Sequence, residues 1–250
     1  MTDTKLPIFQ TAMLSWRDAL AAVRSMPAVA VVIFIVMVVD TVIDDELRLA
    51  ATDENVMTLQ LVRLVVSVLL LAVVLSPAAI AINRYVLLGE IAQGYPLDPS
   101  SRRFRLFCAY SALVNILILV PVMSAEVTMD VFIAIAVIVL VLVAIAALVS
   151  TWILFPAIAV DAPGASVPNA VRDTRFFRVL GISFLTFLPA LIAGILIAIQ
   201  WEDAPRGFGL ERMLYVLCIS AVSSVAFVVF CAMSSRLYRA WAARLLQPAI

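Results

Sequence analysis

Residues 131–155 include no charged side chain, and seventeen of these twenty-five positions are Val, Ile, Leu or Phe, with five more Ala. A helix of this length, at about 1.5 Å per residue, exceeds the roughly 30 Å hydrocarbon core of a bilayer. At about −0.3 to −0.6 kcal/mol each, the large apolar residues favour insertion by roughly 5–10 kcal/mol, an upper bound because positions near the ends count less. In water such a Val/Ile run reads as buried strand. In lipid every N–H and C=O must pair within the segment or in a closed barrel, and the sequence lacks a barrel's alternation. Five further apolar blocks, 28–43, 61–82, 106–123, 180–199 and 213–233, read the same way. The expected fold class is all-α: a polytopic membrane helix bundle with six transmembrane helices and short interfacial cytoplasmic helices. In this division 1–27 is an amphipathic cytoplasmic segment, 28–233 the six-span domain and 234–250 an amphipathic cytoplasmic tail.

Composition points the same way, with 65% hydrophobic and 14% charged residues against roughly 45–50% and 25% in soluble domains. Lys+Arg and Asp+Glu balance at 17 each, so no basic footprint suggests a nucleic-acid partner. Histidine is absent, which removes His general bases, Ser–His and Cys–His pairs, His-ligated haem and most zinc sites. Cys108, Cys218 and Cys231 lie within apolar blocks without CxxC spacing and read as buried free thiols. No phosphate-loop, dinucleotide, zincin or nucleophile-elbow motif occurs. The expectation is a non-enzyme with no cofactor and no metal.

Charge sets the orientation. Thirteen of the seventeen basic residues fall on one side: Lys5, Arg17 and Arg24; Arg84, Arg102, Arg103 and Arg105; Arg172, Arg175 and Arg178; Arg236, Arg239 and Arg244. Arg48, Arg63, Arg206 and Arg212 fall on the other, with the acids Asp44, Asp45, Glu46, Asp53, Glu54, Glu126, Asp130, Glu202, Asp203 and Glu211. The positive-inside rule then predicts an inner-membrane, multi-pass protein with both termini cytoplasmic, and an odd span count would break the alternation. No cleavable signal peptide is expected, because the first block is followed by Asp40, Asp44 and Asp45 rather than a small-residue site.

The cytoplasmic flanks share a character. In 8–26, Phe9, Met13, Trp16, Leu20 and Val23 recur at three- and four-residue spacing, the stripe of an interfacial helix. Asp98 and Pro99 are suited to start a helix before Ser101-Arg-Arg-Phe-Arg-Leu-Phe107, and Ser166 to cap a third segment on which Arg172, Arg175 and Arg178 roughly share a face. In the tail, Leu237, Trp241 and Leu245 oppose Arg239 and Arg244. Trp16, Trp152, Trp201 and Trp241 all fall near block ends, which an interfacial belt explains better than a ligand cage. A weak repeat also appears: Ser76-Pro-Ala-Ala-Ile-Ala-Ile82 and Phe155-Pro-Ala-Ile-Ala-Val-Asp161, each followed by an Arg/Phe-rich segment. Chance from topology statistics accounts for it equally well.

The stretch Pro156-Ala-Ile-Ala-Val-Asp161, the loop with Asn169-Ala170 and Arg175-Phe-Phe-Arg-Val-Leu-Gly-Ile182 resemble bacterial six-helix proteins, as do Arg84-Tyr-Val-Leu-Leu-Gly-Glu90 and Ser101-Arg-Arg-Phe104. The family is the membrane domain of some glycerophosphoryl diester phosphodiesterases, with the YciC-type inner-membrane proteins and uncharacterised alphaproteobacterial relatives. The resemblance covers the six-span layout and is sharp over some thirty residues. It implies architecture and not activity, since the soluble phosphodiesterase domain has no counterpart in these 250 residues and there is no histidine.

Asp40 is the costliest residue in an apolar block, about 2.5–3.5 kcal/mol at a helix centre. Arg63 lies at similar depth, so an Asp40–Arg63 pair across a hairpin would neutralise both. It reads as a proton or cation site or as a structural pair with Arg63 snorkelling; their rim position favours the second. Asn115 and Ser220, Ser223 and Ser224 either line a path or bond across helices. Ala190, Gly194 and Ala198 form a small-residue ridge for close helix packing. Pro77, Pro121 and Pro189 can kink their spans, yet no Gly/Pro-broken half-helix pair or midplane charge of the transporter kind is apparent. The arginine fringe Arg102, Arg103, Arg105, Arg172, Arg175 and Arg178 is suited to anionic headgroups, at about 1 kcal/mol each. The expected role is a scaffold, assembly factor or regulatory partner acting through membrane lipids and another membrane protein or a second copy of itself. The alternative is a small permease or transporter subunit.

Overall fold

A computed structural model of the chain describes residues 7–50, 55–127, 131–201, 209–242 and 246. Lys5, Arg206, Arg244, Leu245 and the acids Asp53, Glu54, Asp130, Glu202 and Asp203 lie outside the described residues. Helix makes up 84% and no strand occurs among the described residues, as a backbone that must bond within itself requires. In order the elements are α1 Ile8–Ser25, α2 Pro27–Leu49, α3 Val56–Val68, a π-helical segment Leu69–Val74, α4 Ser76–Leu88, α5 Arg102–Val127, α6 Val131–Thr151, α7 Leu154–Ala159, α8 Val167–Asp173, α9 Phe176–Gln200 and α10 Leu210–Trp241. Among the described residues four stretches are long and apolar enough to cross a membrane: Pro27–Leu47, Thr58–Leu88, Phe176–Gln200 and Leu210–Trp241. α5 and α6 are helical over the other two expected blocks.

Two blocks expected to be continuous helices are interrupted, each just before a Pro-Ala pair. In the second block Leu75 N–H bonds the carbonyl of Leu70, five residues back, and the Ser76 hydroxyl covers the Ala72 carbonyl. Pro77 cannot donate to Val73, so the helix widens into a π-turn and restarts as α4. In the fourth block α6 ends at Thr151, turns at Trp152 and Ile153, and resumes as α7, where Pro156 likewise cannot donate to Trp152. The second block thus runs as one long helix with a π-turn in it, the fourth turns at Trp152 and Ile153, and the repeated Pro-Ala motif marks both places. Its two copies form the centre of the molecule. Residues 76–83 and 151–159 are buried throughout, and α4 packs on α1, α2, α5, α7 and α10. Phe155 joins Phe107, Tyr110 and Phe230 with ring centroids 5.0–5.9 Å apart, and Trp152 meets Phe230 edge-on at 5.4 Å.

The α1–α2 junction falls at Met26, beside the expected boundary. α1 turns Thr11, Ala12, Ser15, Ala19 and Ala22 toward α9 and α10 and leaves Phe9, Met13, Leu20 and Val23 outward. The outward stripe is the one periodicity detects. The packing face is made of small residues, which let backbones approach closely. The Trp16 indole N–H donates to the Thr186 carbonyl at 3.0 Å, within the turn ahead of Pro189, and so ties α1 to α9. The boundary expected after Met233 lies inside α10, a single 32-residue helix whose Leu237 and Trp241 face the core. The three cysteines are free.

Candidate functional site

Arg84 organises the arginine-rich end. It sits in the last turns of α4, which Gly89 closes with a positive φ of 72° and an N–H bond to the Tyr85 carbonyl. That left-handed turn, which glycine adopts without steric cost, brings Glu90 back onto Arg84. The pair is bidentate, Nε to Oε2 and Nη2 to Oε1, both 2.7 Å. Nη1 donates to the Ala159 carbonyl at 3.2 Å, at the end of α7. Ala159 is the last residue of α7, so no intrahelical N–H reaches its carbonyl and a side chain from another helix supplies the donor.

Arg103, in the first turn of α5, pairs with Asp161, whose φ of 52° ends α7 in the left-handed region that Asp tolerates. The cap of α5 is Ser101 rather than Asp98: its hydroxyl accepts the Phe104 N–H at 3.2 Å, and the helix begins at Arg102. Asp98 instead accepts from the Ser100 hydroxyl at 2.6 Å, which holds its carboxyl below the usual carboxylate range. Together Arg84, Glu90, Asp98, Ser101 and Arg103 rim a pocket of about 340 Å³ whose walls include Ile80, Ala81, Ile91 and Phe104. Beneath it, between α4, α5 and α10, lies an almost wholly apolar cavity of about 300 Å³ walled by Leu75, Phe107, Trp152, Phe227 and Phe230. Its polar groups are few. Asn115 Nδ2 turns onto the Ser111 carbonyl at 2.8 Å, and the Trp152 indole N–H has no acceptor among the described residues.

The expected fringe divides. Arg102, Arg105, Arg172 and Arg175 are exposed, Arg103 is paired, and Arg178 is half-buried with Nη1 lacking an acceptor among the described residues. Arg172, Arg175 and Arg178 do not share one helical face, because Thr174 is extended and separates α8 from α9. Sequence reasoning counted Arg236 and Arg239 only toward topology; Arg236 pairs with Asp18 at 2.6 Å, and Arg239 covers the Val86 carbonyl near the end of α4. Ser235 donates to Asn83 Oδ1 at 2.7 Å and locks α10 to α4.

At the opposite, acidic end Arg63 pairs with Asp44, one turn beyond Asp40. Asp40 accepts from the Ser67 hydroxyl at 3.0 Å and lies within electrostatic reach of Asp44 and Arg63. The Asp40–Arg63 expectation is corrected in its contact: a guanidinium that snorkels toward the rim meets the outer carboxylate. Arg212 joins Asp45 at 2.8 Å and Glu46, tying α10 to α2. Of the proposed packing ridge, Ala190 and Gly194 are half-buried and Ala198 is exposed, with open space where a Gly194 side chain would stand. Trp16 and Pro189 help to line a cavity of about 230 Å³ between that part of α9 and α10. Among the described residues no three His, Cys, Asp or Glu side chains are placed to hold a metal. In comparisons with family models, curated proteins and solved structures, the chain matches none.

Proposed function

We propose that this chain is a non-enzymatic multi-pass protein of a bacterial inner membrane, with six spans and both termini in the cytoplasm. It acts through contacts, as a scaffold, assembly factor or regulatory partner. The observation that carries this reading is the segregation of charge. The described ion pairs sit at the two ends of the bundle, while large apolar side chains such as Ile35, Leu69, Leu142 and Leu196 stand exposed between them. A surface of that kind suits lipid and not water. At the arginine-rich end, Arg102, Arg105, Arg172 and Arg175 remain exposed toward anionic headgroups. Reporter fusions in the loops at Arg103 and Arg175 test the topology, and a periplasmic signal at either overturns it. Purification in mild detergent tests the role: a stoichiometric membrane partner, or a defined self-assembly, is the expected result.

A second reading, a small permease or transporter subunit, has one specific observation in its favour. The two interrupted helices meet at the centre of the bundle beside a cavity, the arrangement in which transporters build substrate sites. Thermal stabilisation of the lone protein by a water-soluble solute would favour it over the first.

A further inference from the structure

The charged pocket and the aromatic cavity are stacked along the same two helices. On α5 the lining passes from Arg103 and Phe104 to Phe107, Ser111 and Asn115; on α4 and the π-segment it passes from Arg84 and Ile80 through Ser76 to Leu71. From Arg84 to Leu71 the helix covers about 20 Å at 1.5 Å per residue, the reach of a long acyl chain with its head at the rim. The lower part is apolar. The rim alternates in sign, with Arg84 and Arg103 set among Glu90 and Asp98. Arg84 uses three N–H groups on Glu90 and Ala159, and Arg103 uses two on Asp161, so each guanidinium keeps donors for a further acceptor. A bare anion would face both carboxylates and a bare cation both guanidiniums. A head bearing phosphate and ammonium a few bonds apart answers both.

From this stacking we infer that the α4–α5 cleft binds a zwitterionic amphiphile. Its phosphate lies at Arg84 and Arg103, its ammonium at Glu90 and Asp98, and one hydrocarbon chain enters the cavity beside Trp152. The inference rests on the membrane reading above but is tested separately from it, since the fusions report topology and the following assay reports occupancy.

The probe is lysophosphatidylethanolamine with a brominated chain, added to the full-length protein in detergent micelles. Bromine quenches tryptophan on contact, and Trp152 lines the cavity. Saturable quenching is expected, absent in Trp152→Phe and suppressed in Ser111→Phe, which fills the cavity. Brominated lysophosphatidylglycerol, which lacks the ammonium, should bind about fivefold more weakly, and Glu90→Gln should erase that preference. Glu90 is exposed, so this variant reports the head site even if Ser111→Phe fails to fold. Brominated diacyl phosphatidylethanolamine separates the sources: its saturation identifies the bilayer as supplier, and saturation by the lyso form alone identifies a free single-chain lipid. Quenching that rises with micelle bromine without saturating, that persists in Trp152→Phe, or that is equal for the two headgroups overturns the inference.

Discussion

Replacing Arg84 with Met separates the two jobs of this guanidinium. Met keeps the unbranched apolar stem and removes every donor. The Ala159 residue is fully buried, and as the last residue of α7 its carbonyl has no intrahelical partner. An orphaned buried acceptor costs about 1–3 kcal/mol, and a hydrogen bond from a charged donor contributes about 1.5–3 kcal/mol. The Glu90 pair adds less, because the Glu90 side chain is 51% exposed and such pairs contribute up to about 1 kcal/mol. The expected loss for Arg84→Met is therefore about 2–3 kcal/mol. Arg84→Lys, a point charge able to serve only one of the two acceptors, should lose about half as much, near 1 kcal/mol. Glu90→Gln should lose less than about 1 kcal/mol. Unfolding in mixed micelles by SDS titration, followed by tryptophan fluorescence, gives all three. If Glu90→Gln costs as much as Arg84→Met, the energy resides in the exposed pair and the carbonyl argument is wrong.

Three further outcomes follow from the same geometry. A double-mutant cycle between Asn83→Ala and Ser235→Ala, in the same unfolding assay, should give a coupling of about 0.6–1.7 kcal/mol, the range for interhelical hydrogen bonds in membranes; a coupling near zero would remove the α4–α10 lock. Gly89→Ala should destabilise by roughly 1 kcal/mol, because φ is 72° there while space for a Cβ is open; an unchanged unfolding midpoint would contradict the left-handed turn. Burial pushes the Tyr95 phenol up to about 12 from an ordinary 10. The neutral form is the one favoured in the fold, so the linked stability is fully present below pH 10 and is lost as pH rises through about 12. Absorbance titration of phenolate, compared with Tyr95→Phe, should remove a step near pH 12; loss of a step near 10 instead would count against burial.

The elements visible in the sequence are those set by large apolar residues. Hydropathy locates the blocks, and a 3.6-residue period finds the outward stripe of α1 through Phe9, Met13 and Leu20. The same period is blind to Ala12, Ser15, Ala19 and Ala22, because packing between helices in lipid selects small volume rather than hydrophobicity. The break at Trp152 was hidden for a related reason. No charge interrupts 131–155, only the polar Ser150 and Thr151 precede the turn, and a helix inside protein can turn without a deep hydropathy dip provided its freed carbonyls find donors. The partner of Arg63 was misjudged by one turn, because sequence spacing gives depth along a helix and not the direction in which a long side chain reaches.

Arginine at the arginine-rich end does more than set topology. Every helix ending there presents carbonyls without intrahelical partners, in surroundings with little water. Arg84 answers the end of α7 and Arg239 the end of α4, while Arg236 and Arg103 neutralise Asp18 and Asp161. Charge asymmetry read from sequence therefore overstates the basic surface, because it counts capping arginines with exposed ones. What distinguishes the two kinds is the acceptor left bare by the fold. The end of α7 leaves one at Ala159, and the arginine that meets it, seventy-five positions earlier in the chain, is held at the mouth of the α4–α5 cleft by that same bond. The end of α7 and the placement of the charged rim are thus linked: the helix leaves its last carbonyl without an intrahelical donor, and the arginine that supplies one becomes part of the site.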